Sequence, residues 1–509
     1  MIKRVAGLLA ALLLVLASVL AVIWSISRMR AVDADQAAAL ATLRQPWSPE
    51  GRNALSGLWL ADYAIPSVEQ RDALLREDVR KWRLADPGAV PENPGPQHSV
   101  AASQHRRHLY GAGDIQRFCK AGDACLKMVR ADLTTYRDLV ARNQAALRQL
   151  AEADQGDYLQ TQFEKVPDIL IPPFQRAYYP ATELAVRFAD GERTAALEQT
   201  CQHVSRWRRL GANTDSLIGT MIAAAYASRG YGRLAADMLA EWPVRNALPK
   251  TCLQALDLPG PAEAQGLCLS MRGEYRYMTG NLGRGVAQAA HDLDGRAAWM
   301  RRLPRVVVYD AEKTAARLAL QFVPYCQAAV QQAFLEDRDV AVVKQTPASA
   351  FSLSCAANLL GCGLSEVAST DMTPYVQRLH DANAQYRLLA ALVWLHGQPD
   401  LLADPARIAA QLPPHLQTAA HPLRYDAASR SLVMPLLASG KGPAGDQAVA
   451  MPLPGSRVPV SAPAPVTPPL ADQATGVPDE AAVPADEAAE PLDTPATEAA
   501  SAAPPSTPG

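Results

Sequence analysis

Trp207–Pro243 reads WRRLGANTDSLIGTMIAAAYASRGYGRLAADMLAEWP. Its apolar residues recur at helical spacing, and Gly211, Gly230 and Pro243 interrupt the pattern. This is a row of short helices separated by breakers. Working outward, the same reading holds from Ala181 to Gly280. The pieces are Ala181–Ala189, Glu192–Leu210, Ser216–Arg229, Tyr231–Trp242, Lys250–Leu256 and Ala262–Thr279. Gly191 and Pro259-Gly260-Pro261 supply the other breaks. Short helices joined by short turns make a helical array, so the expected fold class is all-α. No strict period or tetratricopeptide-like motif emerges, so a solenoid is the lesser reading.

The flanks extend this pattern. Asp33–Arg44 is Ala-rich and reads as a helix, and Gln45-Pro-Trp-Ser-Pro breaks it. A short helix around Leu55, Leu58 and Trp59 ends before Pro66. Ser67 then caps a helix, with Gln70 three residues on. Pro87–Gln104 reads as loop, and Ala112–Asp154 as helix with a stripe of Leu133, Tyr136, Leu139, Val140, Leu147 and Leu150. Val166–Pro180 is a proline-rich loop and a possible sub-boundary, but Phe174, Tyr178 and Tyr179 predict that it packs on the body. Ala287–Met300 and Tyr309–Asp337 read as helices, Val340–Val343 as a short β-like run, and Pro374–Leu395 as a strong helix. LRYDAASRSLVMPL predicts a hairpin of Leu423–Asp426 and Ser431–Met434 about Ala427–Arg430.

Two terminal segments differ in kind. Residues 1–30 carry Lys3 and Arg4, an uncharged run Val5–Ile26, and then Arg28 and Arg30. About 20 apolar residues cross a bilayer as a helix, and Trp24 sits where an indole prefers the interface. A cleaved signal peptide is the rival reading, with Val19-Leu20-Ala21 as a passable site, but the apolar run continues past it. Residues 441–509 are rich in Pro, Ala and Thr. From Gly442 onward nine acidic residues face one arginine, Arg457. That net of −8 within a total of −2 leaves +6 for the first 441 residues. The tail's composition reads as disordered and partly extended, either a solvated terminus or a spacer to a partner. Residues 31–440 make the helical domain. Its mild positive charge does not argue for nucleic acid.

The eight cysteines are Cys119, Cys125, Cys201, Cys252, Cys268, Cys326, Cys355 and Cys362. An even set behind a membrane-targeting segment suits disulfides in an oxidising compartment. Pairing nearest neighbours gives Cys119–Cys125, Cys252–Cys268 and Cys355–Cys362, leaving Cys201–Cys326. Gly122 and Gly361 would help the two short loops close. Buried free thiols in a cytoplasmic domain are the alternative. Flanking charge leaves the anchor's orientation nearly balanced. The cysteines tip the expectation to a bacterial inner-membrane protein that crosses once, with its N-terminus cytoplasmic and its bulk periplasmic.

The stretch quoted first, together with GLCLSMRGEYRYM (Gly266–Met278), resembles a family of membrane-anchored bacterial proteins. That family is commonest in Xanthomonas-like γ-proteobacteria, with similar helical segments in planctomycete proteins. Asn383–Leu395 and His421–Asp426 match its closing helix and strand, and the resemblance covers about Trp59–Pro435. These motifs are patterns of helix packing. The family carries no assigned activity, so the resemblance implies fold and location only.

Signals of chemistry are sparse. His105 and His108, near His98, would share a helical face, but nothing completes a metal site, and a solvated basic stretch is the plainer reading. Arg206, Arg208, Arg209, Arg272 and Arg276, with Glu274, make either ion pairs that fix helix packing or a cationic pocket. The two differ in burial and in whether the guanidinium groups converge. Ser365 lacks a GxSxG setting. His380, His396, His415 and His421 show no partner in the linear sequence. No P-loop, Rossmann or HExxH pattern occurs, and Tyr309-Asp-Ala-Glu-Lys-Thr reads as a helix start. Neither a cofactor nor a catalytic residue is indicated. The expected role is a non-catalytic envelope interaction or scaffold protein that meets the membrane and envelope proteins or cell wall. The alternative is a hydrolase acting on envelope polymer. A cleft with converging carboxylates or histidines would favour the latter.

Overall fold

Helices begin where the capping residues place them. Ser67 Oγ accepts from Gln70 N at 3.2 Å, Ser216 Oγ from Gly219 N at 3.1 Å, and Asp310 Oδ1 from Lys313 N at 3.1 Å. Each satisfies a backbone donor that a first helical turn leaves open. The structure is a computed structural model. It describes residues 2–84, 95–108, 110–111, 113–163, 171–291, 307–338, 349, 352–367, 371–438 and 448–457. The chain divides into Met1–Ala462 and Pro463–Gly509, and all described residues lie in the first unit.

The helices run α1 (Ile2–Met29), α2 (Ala34–Leu43), α3 (Leu55–Trp59), α4 (Val68–Leu84), α5 (Ala101–Gln104), α6 (Asp114–Arg117), α7 (Cys125–Ala131), α8 (Leu133–Arg142), α9 (Gln144–Leu150) and α10 (Pro180–Ala189). They continue as α11 (Arg193–Ala212), α12 (Leu217–Ala225), α13 (Tyr231–Ala240), α14 (Lys250–Ala255) and α15 (Pro261–His291). The last long ones are α16 (Ala311–Phe322), α17 (Ala328–Leu335), α18 (Leu359–Val367) and α19 (Thr373–His396). The fold is all-α with a small sheet. The expected loop around Phe174 packs on the body, with Phe174, Tyr178 and Tyr179 all buried. Val340–Val343 lies outside the described residues.

Three local expectations are corrected. Gly230 does not break the chain: a π-helical turn, Tyr226–Gly230, joins α12 to α13. Pro87–Gln104 is not all loop, since α5 forms within its described part. The helix starting near Ala262 does not stop at Thr279 but runs on past Gly280, Gly283 and Gly285. Its Gly266 and Gly273 allow close approach. A Cβ on Gly273 would lie 1.6 Å from the Asp215 carbonyl oxygen, and one on Gly266 2.8 Å from Ala212 Cα.

The main core gathers Trp59, Trp207, Tyr178 and Tyr231 with α10, α11, α13 and α19. A second core lies among α2, α15, α16 and α17, around Leu43, Tyr275 and Phe322. Helix α19 joins the two. It is buried almost all round, so His380, Asp381, Asn383, Gln385, Arg387 and His396 are buried with its apolar residues.

Four disulfides form: Cys119–Cys125, Cys201–Cys252, Cys268–Cys326 and Cys355–Cys362. The two short loops pair as expected. The pairing of Cys252 with Cys268, and hence of Cys201 with Cys326, is wrong. Cys252 on α14 faces α11, its sulfur 3.7 Å from the Leu197 carbonyl oxygen. Cys268 on α15 instead meets the turn after α16, Val323–Cys326. Gly122, at φ +100°, supplies the left-handed residue the first loop needs. Gly361 serves differently, since a Cβ there would sit 1.9 Å from Thr314 Oγ1 of α16.

The predicted hairpin forms as β1 (Arg424–Asp426) and β2 (Ser431–Pro435), with Asp426 opposite Ser431. A third strand, β3 (Ala448–Pro452), pairs antiparallel with β2. It lies beyond the composition change near Gly440, where only tail was expected. Met451 and Leu453 are buried, and Arg457 reaches Asp237 of α13 at 3.1 Å. Apolar side chains on alternating positions outweigh the local proline content.

Candidate functional site

Helix α1 does not end in a loose linker. Its apolar residues are exposed without interruption as far as Val22, and from Ile23 one side of the helix lies against the body while Ile26 and Met29 stay exposed. Trp24 Nε1 donates to the Val307 carbonyl at 2.5 Å. Ser27 is 2% exposed; its hydroxyl donates to the Ser354 carbonyl at 3.0 Å and accepts from Ala357 N at 3.0 Å. Arg28 pairs with Asp310 at 3.1 Å. Lys313 Nζ donates to the carbonyls of Ser27 at 2.6 Å and Arg28 at 3.0 Å. A cation on the last open carbonyls of a helix meets both their hydrogen-bond need and the negative end of the dipole. Asp310 therefore caps the start of α16 and grips the end of α1 at once. The free apolar length, Val5–Val22, is about 27 Å at 1.5 Å per residue, close to a bilayer's hydrocarbon thickness.

A second polar centre is buried where α17 and α19 meet the segment before β1. His421 Nδ1 lies 2.7 Å from Asp337 Oδ1, and its Nε2 lies 2.9 Å from Asp381 Oδ1. Thr418 Oγ1 donates to Asp337 Oδ2. Asp381 also accepts from Leu437 N at 2.7 Å and Ala438 N at 3.0 Å. His380 Nε2 sits 3.1 Å from Asp337 Oδ1 without the alignment of a good hydrogen bond. Asp337, His380, Asp381 and His421 are each at most 5% exposed.

With a carboxylate at each ring nitrogen, His421 satisfies both only as the doubly protonated imidazolium. Burial works against that charge, but the bonds to Asp337 and Asp381 outweigh it and push His421 up to about 9. Burial alone would raise the Asp337 carboxyl. The close His380 Nε2, the hydrogen bonds from His421 and Thr418 and the His421 charge instead hold it well below the usual carboxylate range. His421 and the two carboxylates are thus spent on one another and on backbone donors, and together they brace the fold.

The arginines do not converge. Arg208 is buried and ties down the turn after α14: it donates to the carbonyls of Ala255 and Asp257 at 2.8 Å and to that of Leu258 at 3.0 Å. It also pairs with Glu263 at 2.7 Å and lies over the Tyr386 ring at 4.6 Å. Its partner is Glu263, where the sequence suggested Glu274. Arg206 goes to Asp154, Arg276 to Asp215, Arg209 to the Gly156 carbonyl and Arg272 to that of Gln45. Five guanidinium groups hold separate loops, so they do not form one cationic pocket. A cavity of about 340 Å³ lies between α15 and α16, lined by Arg44, Tyr275, Arg276, Tyr309 and Glu312. In it Arg44 is matched by both carboxylate oxygens of Glu312 at 2.8 Å.

The remaining histidines disperse. His105 is extended, at φ −131° and ψ 144°, so it shares no helical face with His108. His108 is drawn into backbone pairing with Asp62 at 2.9 Å, and burial lowers its pKa. His415 is exposed and offers its carbonyl to Arg387 at 2.8 Å. His396 is buried, and burial lowers its pKa. Ser365 is fully buried, its hydroxyl donating to the Cys362 carbonyl. No group of three or more His, Cys, Asp or Glu side chains among the described residues is arranged to hold a metal ion. Neither the anchor grip nor the His421 cluster was read from the sequence, because their partners stand tens to hundreds of residues apart. The sole hint was the apolar run continuing past the passable cleavage site. Compared with family models, curated proteins and solved structures, the chain matches none.

Proposed function

We propose that this is a bacterial inner-membrane protein, N-terminus cytoplasmic and body periplasmic, that acts as a non-catalytic scaffold for other envelope components. One observation carries the reading: the last turn of α1 is built into the folded body, with Ser27 buried and capped by Lys313. A body gripped in this way is presented at a fixed height and tilt above the bilayer. That suits display of a binding surface. The four disulfides support an oxidising compartment, and the resemblance to anchored bacterial proteins agrees with retention of α1. The titratable cluster around His421 is buried, with His421 held between two carboxylates, which gives no support to polymer hydrolysis.

Two measurements test this. Alkaline phosphatase fused after Gly509 is active in cells if the body is periplasmic, and an inactive fusion overturns the placement. The purified full chain in phospholipid nanodiscs should release no soluble fragments from peptidoglycan, while in-cell cross-linking ties it to defined envelope partners. Fragment release without such partners overturns the scaffold role.

A further inference from the structure

Outside α1, the large apolar side chains exposed among the described residues are Ile171, Leu253, Leu353, Leu359, Leu360 and Val367. Four of these six lie between Leu353 and Val367. Scattered exposed leucines are ordinary, but a contiguous group marks a contact surface. Helix α18 shows why they gather. Gly361, Cys362 and Ser365 face inward and are buried, whereas Leu359, Leu360, Gly363, Leu364 and Val367 lie on the open side. Those positions fall at i, i+1, i+4, i+5 and i+8, one face of a helix. The open face is thus mostly apolar, with Gly363 and Leu364 half-buried and the exposed Glu366, the only charged residue between Ser352 and Val367, at its edge.

The location of this face points to what covers it. The segment adjoins the emerging anchor: Ser27 bonds to Ser354 and Ala357, and Leu360 N donates to the Val308 carbonyl at 3.0 Å. The neighbouring Val307 carbonyl takes the Trp24 indole. Trp24 stands where α1 first meets the body, after the unbroken exposed run that ends at Val22 and before the exposed Ile26 and Met29, and an indole prefers the membrane interface. The Cys355–Cys362 disulfide ties α18 to the Leu353–Cys355 turn, and the packing of Gly361 on Thr314 holds α18 to α16, which is itself fixed to α1 through Asp310 and Lys313.

We infer that α18 and Leu353 form a second membrane contact, a foot that beds into the headgroup and upper acyl region of the bilayer beside the anchor. The occupant of the apolar face is lipid. Interfacial helices bury such a face a few ångströms deep without crossing. The inference rests on α1 spanning the membrane, and the two can be tested apart.

The full chain in nanodiscs of phosphatidylethanolamine and phosphatidylglycerol is photolabelled with a lipid-soluble aryl diazirine, and in parallel with a water-soluble one. Labelled peptides are then mapped by mass spectrometry. The foot predicts that the lipid-soluble reagent marks both α1 and Leu353–Val367, the latter at least several-fold above the peptide holding the distant exposed Leu253. Heavy labelling of α1 with Leu353–Val367 no higher than Leu253 overturns the foot alone. An unlabelled α1 overturns the anchor and the foot together. Protection of Leu353–Val367 from both reagents means that protein covers the face, and this also overturns the lipid assignment.

Discussion

At the scale of single residues, His421 joins the segments that carry Asp337 and Asp381 to the stretch before β1. Replacing it with Gln leaves Asp337 and Asp381 buried and facing each other without a cation. Breaking a buried charged set from one side costs about 3 kcal/mol or more. Denaturant unfolding of His421→Gln in detergent should show a loss of that order. The pH dependence has a defined sign. His421 titrates near 9 in the folded chain, above the roughly 6.5 of a free imidazole. Its contribution is complete below about pH 6.5 and is lost as pH rises through 9. Asp337 is held low, so its share is present above about pH 4 and is lost on acidification. Wild-type stability should fall by roughly 2–3 kcal/mol from pH 6.5 to 10, and the His421→Gln profile should be flatter there. Gly273 gives a steric test. A methyl group there would need the Asp215 backbone to move, so Gly273→Ala should cost at least about 2 kcal/mol in the same assay. The histidine had no visible partner in the sequence because Asp337 lies 84 residues away and Asp381 lies 40 away. Periodicity reports only neighbours along one element.

At the scale of elements, local chemistry was readable. Ser67 and Ser216 start helices where the sequence places them, and the hairpin turns over Ala427–Arg430 in the expected register. Pairings between elements were not. The nearest-neighbour rule succeeds for Cys119–Cys125, whose loop closes on itself, and fails for Cys252, whose mate is chosen by how α14 packs on α11. The two kinds of loop differ in energetic weight. Closing a separation of 51 residues restrains the unfolded chain more than closing one of 6, about 4 against about 2 kcal/mol in the loop-entropy account. The double variant Cys201→Ala/Cys252→Ala should therefore lower the unfolding midpoint more than Cys119→Ala/Cys125→Ala, as thermal scans under matched conditions would show. Strand β3 was missed for a related reason. Its few apolar residues sit inside a proline- and acid-rich stretch, and only pairing with β2 reveals their alternation. A chain ending at Lys441 should lose several kcal/mol through the missing Met451 and Leu453. One ending at Arg457 should unfold like the full chain. Limited proteolysis and thermal scans of the two truncations separate these outcomes.

At the scale of the whole molecule, the all-α class and a membrane-length helix at the N-terminus were legible in composition and periodicity. The rigid seat of that helix was not, since it joins Trp24–Arg28 to residues near 310 and 355. This contact also constrains how the protein is made. In the proposed topology α1 enters the bilayer first, but the residues that grip it leave the ribosome some 280 to 330 positions later. Until Asp310, Lys313 and the closed Cys355–Cys362 loop arrive, α1 has nothing to seat against, and Ser27 remains an open helix end. Completion of the body and its seating on α1 are therefore a single late event. A chain stalled before that point would be tethered yet free to swing, and nascent-chain lengths on either side of Cys362 should differ in the protease sensitivity of Arg28–Arg30.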